Sequence, residues 1–370
     1  MRRLVAAVAA ATLAAPVLAA APAAASSDPR FPEQWALAAI GAPAAWPVAT
    51  GAGVRIGVVD SGIDLAHEDL AAKVVASTSC VGAEGDPARC GGSAQDDNGH
   101  GSHVAGIAAA ATGNGRGIAG VAPSATLVVA KALAADGSGT DADVVAGIKW
   151  VVDRGARVVN LSLGDNFLIT TLLGTGLREG IEYAWARGAV PVLAAGNTNL
   201  LGLGSSNYGS LPAVVVGATN RADRVSGFSS PLGTARWALL APGGAGTGID
   251  AENVLSTFWE PDTANAYEYL AGTSMAAPHV AGALALLLGQ GLSPQAAVDR
   301  VLATANPSVS CGPGSANCRG RLDVGKAVTG VTTPPTTPPG TPPPGGPASG
   351  LGLLGALLSL LGGLLSRPIG

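Results

Sequence analysis

Charged side chains are scarce in this sequence, and no long block of lysine and arginine occurs along it. Only 12% of the 370 residues are Asp, Glu, Lys or Arg, and the formal net charge at pH 7 is -4. A protein that binds nucleic acid needs clustered cations to neutralise phosphates, so this composition argues against a nucleic-acid partner. Hydrophobic residues make up 48% of the chain, which is enough for a large buried core and excludes a disordered protein.

Residues 1–25 have the pattern of a secretory signal peptide. Two arginines precede a long stretch of Ala, Leu and Val, and small residues suited to cleavage lie near Ala25. The alternative is a membrane-spanning anchor, which Pro16 and Pro22 disfavour because proline interrupts a helix. We therefore expect export and removal of residues 1–25.

Cysteine is also scarce, with four residues in two close pairs. Loop-forming residues separate Cys80 from Cys90, and Cys311 from Cys318. Exported thiols tend to be oxidised, so two local disulfides, Cys80–Cys90 and Cys311–Cys318, are the simplest of the three connectivities that four cysteines allow. Buried free thiols are the alternative.

Short apolar runs alternate with helix-like stretches between Gly53 and Thr304. The runs are GVRIGVVD, ATLVVAKAL, ARVVNLSL, GAVPVLAAG and AVVVGA. They are continuously apolar, which is typical of strands buried on both faces. Between them, DADVVAGIKWVVDRG and TTLLGTGLREGIEYAWARG carry apolar residues at helical spacing. This order predicts an α/β fold in three layers, with a mostly parallel central sheet and helices on both faces.

Two further helices are predicted after these runs. The stretch GTSMAAPHVAGALALLLGQG is apolar all round and should form a helix buried in the core. The stretch SPQAAVDRVLATA predicts an amphipathic helix with Pro294 in its first turn.

The composition changes abruptly after Gly330, so residues 26–330 are expected to form the globular domain. Residues 331–347 are rich in Pro, Thr and Gly, which predicts an extended, solvated linker. Residues 348–370 are apolar and rich in Leu and Gly, with a single charge at Arg367. This tail is just long enough to span a bilayer, but its glycines weaken a helix. A membrane anchor and a soluble or removable tail therefore both stay open.

Two polar side chains lie where predicted buried strands end. Asp60 ends the run IGVVD, and Asn197 follows the run VLAAG. Open parallel sheets place their active clefts at the carboxyl ends of the strands. Taken alone, each residue is more simply read as a turn or capping residue.

Histidine is limited to four positions: His67, His100, His103 and His279. An imidazole base for chemistry near pH 7 has to come from this set. His67 lies in a polar loop, while His103 and His279 fall within helices, where a hydrogen-bonded core role is expected. His100 follows a glycine at the start of a helix and is the freest to face a cleft.

Ser274 lies at the predicted start of the buried helix. A helix start offers backbone N–H groups and a partial positive charge to an oxyanion, although a plain N-cap is the alternative. With Asp60 to orient, His100 as base and Asn197 as a second oxyanion donor, the groups needed for acyl transfer are all present. Spacing alone does not show that they meet.

Three motifs resemble those of the subtilisin-like serine proteases, or subtilases (peptidase family S8). They are VVDSGID around Asp60, HGSHVAG around His100 and GTSMAAPHVAG around Ser274, in the Asp–His–Ser order of that family. The resemblance runs from about Asp28 to about Gly330, and the segment DPRFPEQWAL is similar to the start of thermitase-like members.

The resemblance implies a secreted serine endopeptidase. Asp60 would orient His100, and His100 would take the proton from Ser274, which attacks a peptide carbonyl to form an acyl-enzyme. Asn197 and the Ser274 amide would hold the oxyanion. The implied partners are polypeptide substrates, the chemistry needs no cofactor, and the chain is expected to be a monomer.

Further roles follow from the same resemblance. Ser162, Leu163 and Gly164 match the segment whose backbone pairs with extended substrate. Asp69 matches a family calcium ligand, with Asn114 as a second oxygen donor, and a solvated surface loop is the equal alternative.

The sequence also departs from the family pattern. Ser102 replaces the usual threonine in the histidine motif. We expect no N-terminal propeptide, because only a few residues separate the signal peptide from the start of the catalytic domain. Two other functions stay open: a membrane-anchored, mycosin-like processing protease of narrow specificity, and a non-catalytic surface scaffold on the same fold.

Overall fold

The computed structural model describes residues 26–163, 176–197 and 209–330. The chain divides into two units, Met1–Thr333 and Pro334–Gly370, and every described residue belongs to the first. The predicted signal peptide, linker and C-terminal tail lie outside the described residues. The same is true of Gly164, one of the three residues expected to pair with substrate.

The part of the chain that the structure describes contains an eight-stranded sheet and a separate two-stranded hairpin. The sheet has the order β10-β7-β6-β5-β4-β1-β3-β2, and every pairing in it is parallel. The strands are β1 Arg55–Asp60, β2 Val74–Ser79, β3 Thr126–Lys131, β4 Ala156–Leu161, β5 Val190–Ala194, β6 Val214–Thr219, β7 Trp237–Pro242, β8 Val254–Glu260, β9 Thr263–Leu270 and β10 Cys318–Arg321. The five predicted apolar runs are β1, β3, β4, β5 and β6.

Helices cover both faces of the sheet, which confirms the predicted three-layer fold. They are α1 Trp35–Ala39, α2 Ala42–Ala45, α3 His100–Ala109, α4 Asp141–Asp153, α5 Arg178–Ala186, α6 Thr273–Gly289, α7 Pro294–Thr304 and α8 Val324–Thr329. Short 3-10 turns lie at Phe31–Glu33, Ala71–Lys73, Pro87–Arg89 and Asp250–Glu252.

Each strand is buried on both sides because alternate residues point to opposite layers. In β1, Val58 packs into the core formed with α3 and α6, while Val59 packs into the core formed with α4 and α5. Both valines are fully buried. This two-sided burial explains why the strands are continuously apolar in sequence.

The helix α6 crosses the centre of the larger core. Its residues from Thr273 to Leu288 are all buried, as its apolar sequence predicts. The helix α7 begins at Pro294, and the Ser293 hydroxyl caps it by accepting a hydrogen bond from Ala296 N at 3.3 Å. Both predicted helices are therefore confirmed.

The hairpin of β8 and β9 was not predicted, because its sequence is mixed and polar. Its strands are antiparallel and pair from Val254 with Leu270 to Glu260 with Thr263. Imidazoles of two buried histidines contact carbonyls of β9: His67 Nε2 lies 3.0 Å from Ala266 O, and His103 Nε2 lies 3.0 Å from Glu268 O. Tertiary contacts thus fix strands that periodicity does not indicate.

Both predicted disulfides are present. Cys80–Cys90 closes a loop after β2, and Cys311–Cys318 closes the loop that leads into β10. Among the helices of the described ranges, none combines the length and apolarity needed to cross a bilayer.

We predict that replacing both Cys80 and Cys90 by serine lowers the free energy of unfolding by about 2.5–3 kcal/mol, because the unfolded chain regains the entropy of an open loop. Urea unfolding of the variant and the parent measures this difference. A parent treated with reductant is the control, and an unchanged midpoint and slope would show that the bridge adds no stability.

Candidate active site

The chemistry-bearing residues lie along one edge of the sheet. Asp60 is the last residue of β1, Ser162 follows β4, and Asn197 follows β5. The strands β1, β4 and β5 are neighbours and run in parallel, so their carboxyl ends share the same edge. The topology therefore brings together residues that are far apart in sequence.

Asp60 and His100 form a direct hydrogen bond at this edge. His100 Nδ1 lies 2.7 Å from Asp60 Oδ1, and the backbone N–H of Ser61 donates to the same oxygen at 2.7 Å. Asp60 is fully buried, whereas 27% of the His100 side chain is exposed. The carboxylate thus fixes the orientation of the ring through Nδ1.

Glycines allow His100 to approach β1 this closely. Gly99 adopts φ 95°, a left-handed conformation that favours glycine, and it precedes the helix that starts at His100. A side chain at Gly101 would collide with the carbonyl oxygen of Gly62, in the loop after Asp60. The glycine on each side of His100 is therefore required by geometry.

The pKa of His100 is raised above its ordinary value. Burial alone lowers this pKa, but the charge and hydrogen bond of Asp60 and the charge of Asp96 outweigh that effect. An imidazole in this environment gains a proton more readily than a free one, which is the property a general base needs.

Ser274 is the second residue of α6 and is 5% exposed. Its hydroxyl lies 3.4 Å from the carbonyl oxygen of Ser162, and no hydrogen bond joins it to His100 among the described residues. A nucleophile and its base often form a closer contact only when substrate is bound. The structure therefore places Ser274 at the same sheet edge as Asp60, without a hydrogen bond between Ser274 and His100.

A proline inside α6 explains how Ser274 is held. Pro278 has no N–H, so the carbonyl of Ser274, four residues earlier, lacks its helical donor. The Ser162 hydroxyl replaces that donor, with a hydrogen bond to Ser274 O at 2.8 Å. Asn160 Nδ2 donates in turn to Ser162 Oγ at 2.9 Å. Ser162 thus connects the end of β4 to the start of α6.

Asn197 is anchored to the residue before Ser274. Its Oδ1 accepts hydrogen bonds from Thr273 N at 2.8 Å and from Thr273 Oγ1 at 3.1 Å. Because both bonds use the amide oxygen, the donor end of this side chain is Nδ2. The arrangement fixes the orientation of the amide next to the helix start.

The other three histidines are buried, and each contacts a backbone carbonyl oxygen. His279 Nδ1 donates to Met275 O at 2.8 Å, and His103 bonds to the hairpin, which confirms their expected core roles. Burial lowers the pKa of His279 to about 4 and that of His103 to about 3, so both are neutral at pH 7. His67 is also buried, although its sequence suggested a polar loop.

Asp69 and Asn114 lie together, as a shared site requires. Asn114 Nδ2 donates to Asp69 Oδ1 at 2.9 Å. The other carboxylate oxygen accepts from Ile118 N at 3.0 Å and from the Tyr267 hydroxyl at 2.9 Å. Burial raises the pKa of Asp69, although the hydrogen bond from Ile118 acts in the opposite direction.

A second carboxylate holds the same loop. Asp28 accepts from Gly113 N at 2.7 Å and from Gly115 N at 3.1 Å, on either side of Asn114. In the described part of the chain, no three side chains of His, Cys, Asp or Glu are grouped to hold a metal ion. The oxygen atoms of Asp28, Asp69 and Asn114 nevertheless have the chemistry that Ca²⁺ prefers.

One residue near the Asp60–His100 pair, Asp96, was not recognised from the sequence. Asp96 is fully buried four residues before His100 and accepts hydrogen bonds from Ser61, which follows Asp60, and from Ser102, two residues after His100. Two consecutive aspartates before a turn, in a chain with so few charges, were the available signal.

A three-layer α/β fold with a carboxylate–imidazole pair and a serine at a helix start defines the class of α/β serine proteases. The sequence profile described as the Subtilase family matches residues 51–322, and the chain belongs to that family. It is a subtilisin-like serine endopeptidase.

Individual relatives agree with this assignment. The chain is 38% identical to thermitase of Thermoactinomyces vulgaris over 82% of its own length and 98% of that protein. It is 39% identical to subtilisin DY of Bacillus licheniformis over 65% of its length and 78% of that protein. A solved protease of Pseudoalteromonas arctica superposes with a TM-score of 0.69 at 29% identity, covering 82% of this chain and 99% of that one.

We predict that Ser162→Ala lowers the free energy of unfolding by about 1–3 kcal/mol, because the buried carbonyl of Ser274 loses the hydroxyl that replaces its helical donor. Chemical denaturation measures the change. Ser138→Ala, which removes an exposed hydroxyl bonded to Asp136, is the control and should change stability by less than about 0.5 kcal/mol. Equal effects of the two substitutions would contradict the role given to Ser162.

Proposed function

We propose that this chain is a secreted endopeptidase that hydrolyses peptide bonds through Asp60, His100 and Ser274. The observation that carries the proposal is the 2.7 Å hydrogen bond between His100 Nδ1 and Asp60 Oδ1, at the sheet edge where α6 begins. It orients the imidazole and leaves Nε2 as the nitrogen that can accept a proton.

The reaction then proceeds in two halves. His100 Nε2 takes the hydroxyl proton of Ser274 as the oxygen attacks the peptide carbonyl, and the resulting imidazolium gives that proton to the departing amine. Water attacks the acyl-enzyme with His100 again as base, which releases the acid and restores the serine. Asp60 stays ionised and stabilises the imidazolium throughout.

The start of α6 supplies the oxyanion site. Ser274 N lies in the first helical turn, where backbone N–H groups have no helical acceptor. Asn197 Nδ2 is the second donor, because Thr273 occupies the amide oxygen. Loss of such a side-chain donor typically lowers kcat by about 100- to 1000-fold.

Extended substrate would pair with the backbone that follows β4. Ser162 and Leu163 lie there, at the edge that carries Asp60 and Ser274, and Gly164 continues the segment outside the described residues. Strand addition gives affinity through main-chain hydrogen bonds and leaves side-chain preference to pockets.

Secretion is supported by two independent features. Residues 1–25 have the signal-peptide pattern, and the two disulfides suit an oxidising compartment. Attachment through residues 348–370 stays a prediction.

We also propose that the loop of Asn114 takes Ca²⁺ as a structural ion. Asp28 and Asp69 flank this loop and would supply two carboxylates. The Asn114 oxygen, which accepts from Arg116 N at 2.8 Å, would exchange that bond for the ion. Because burial raises the pKa of Asp69, a cation beside it would stabilise the ionised carboxylate.

The function is tested by hydrolysis of casein and of chromogenic peptides by the secreted protein. We expect cleavage by the parent and labelling of Ser274 by a fluorophosphonate, and loss of both in Ser274→Ala. Phenylmethylsulfonyl fluoride is the chemical control. A folded parent that neither cleaves nor becomes labelled would overturn the proposal and favour the scaffold, whereas labelling without cleavage would indicate narrow specificity.

Calcium is tested by thermal melting in excess CaCl₂ and in EGTA. We expect Ca²⁺ to raise the Tm of the parent, since an ion that binds only the folded state stabilises it, and we expect no rise in Asp69→Asn. Asp136→Asn, in the exposed loop after β3, should respond like the parent. The same Tm in both buffers would show that this loop binds no calcium.

A further inference from the structure

Asp96 takes no part in the chemistry described above, yet it is fully buried and accepts five hydrogen bonds. Its Oδ1 accepts from the Ser61 hydroxyl at 2.9 Å, from Asn98 N at 3.2 Å and from Gly99 N at 3.1 Å. Its Oδ2 accepts from Ser102 N at 2.9 Å and from the Ser102 hydroxyl at 2.6 Å.

These partners belong to both loops that carry the catalytic pair. Ser61 follows Asp60, while Gly99 and Ser102 flank His100. The Ser61 hydroxyl also accepts from Gly101 N at 2.9 Å, and its backbone N–H donates to Asp60 Oδ1. A continuous chain of hydrogen bonds therefore runs from the loop after β1 to the start of α3.

All five groups that bond to the Asp96 side chain are hydrogen-bond donors, which requires a carboxylate and not an amide at this position. An asparagine would have one acceptor oxygen and would direct its NH₂ group toward N–H donors on one side. Within the described residues Asp96 forms no salt bridge, and backbone and hydroxyl groups donate directly to both of its oxygens. The neighbouring Asp97 differs, because 44% of its side chain is exposed and it pairs with Lys131 at 2.6 Å.

We propose that Asp96 is a positioning residue for the Asp60–His100 pair, holding the two loops in register and adding a second buried negative charge beside the imidazole. The inference rests on the proposed function and deepens it. It assigns a reason for the raised pKa of His100 beyond Asp60, since the charge of Asp96 acts in the same direction.

Among the described residues, few charged groups surround the imidazole. On the sheet side they are Asp60, the buried Asp64, whose backbone N–H donates to Ser102 Oγ, and the Asp97–Lys131 pair. Within α3 the next titratable residue is His103, which is neutral because burial lowers its pKa to about 3.

The elements on the other sides add little charge. The β8 strand places the ring of Phe258 against Gly99. The β9 strand brings Glu268, whose backbone oxygen contacts His103. The titratable residue of α6 is His279, with a pKa lowered to about 4. Asp96 is therefore the second carboxylate whose removal should be felt at His100.

The test compares Asp96→Asn with Asp299→Asn, which makes the same change at an exposed position of α7. We expect Asp96→Asn to lower kcat by about ten- to hundredfold, as small misplacements of catalytic groups do. Its acid limb of kcat/KM against pH should move to lower pH, because His100 loses a stabilising charge. Asp299→Asn should leave both properties near those of the parent.

A second variant separates position from charge. Ser61→Ala removes the bridge but keeps the charge of Asp96, so we expect a lower kcat with the acid limb unmoved. Thermal melting shows which variants fold. If Asp96→Asn does not fold, Ser61→Ala decides the positioning role, and an unchanged kcat in that variant would overturn it.

A titration of the histidine NMR signals in a Ser274→Ala background measures the pKa of His100 directly, in a protein that does not turn over substrate. We expect the pKa of His100 to fall when Asp96→Asn is added and to stay in place with Asp299→Asn. A folded Asp96→Asn variant whose His100 titrates as in the parent, with an unchanged acid limb, would refute the electrostatic role. A parent that fails fluorophosphonate labelling would refute the proposed function instead.

Discussion

The contact of α3 with the loop after β1 is the constraint on which the site depends. Gly101 and Gly62 meet backbone to backbone, and this approach lets His100 reach the buried Asp60. A buried carboxylate is costly unless it is hydrogen-bonded or paired, so its bonds to His100 and Ser61 serve stability as well as chemistry. The hairpin of β8 and β9 supports the arrangement from outside by packing on α3 and on Gly99.

Hydrogen bonds also attach the start of α6 to the sheet edge. A proline in the middle of a helix normally leaves a carbonyl unsatisfied, at a real cost in stability. Here that carbonyl belongs to Ser274, and the Ser162 hydroxyl occupies it. The carbonyl that Pro278 leaves without a helical donor thus attaches Ser274 to the end of β4. Asn197 adds a second attachment through Thr273.

Prediction from sequence succeeded where local pattern and burial coincide. Strands buried on both faces have to be continuously apolar, so β1, β3, β4, β5 and β6 were recognisable. The hairpin was not, because polar residues such as Ser256 and Thr257 are buried in β8, most of β9 is at least partly exposed, and the order of these strands depends on anchors such as His67 and His103. The role of Asp96 was missed for a similar reason, since nothing in DDNGHG tells which aspartate is buried.

The sequence by itself determined the fold class, the two disulfide pairs, the choice of His100 among four histidines and the identity of the candidate catalytic side chains. It did so because burial imposes a pattern on strands and because few residue types can perform acyl transfer. Only the tertiary structure decided which groups meet. Asp60 and His100 are 40 residues apart, and Ser162 and Ser274 are 112 apart. Their contact depends on the strand order around β4 and β1, which local spacing does not encode.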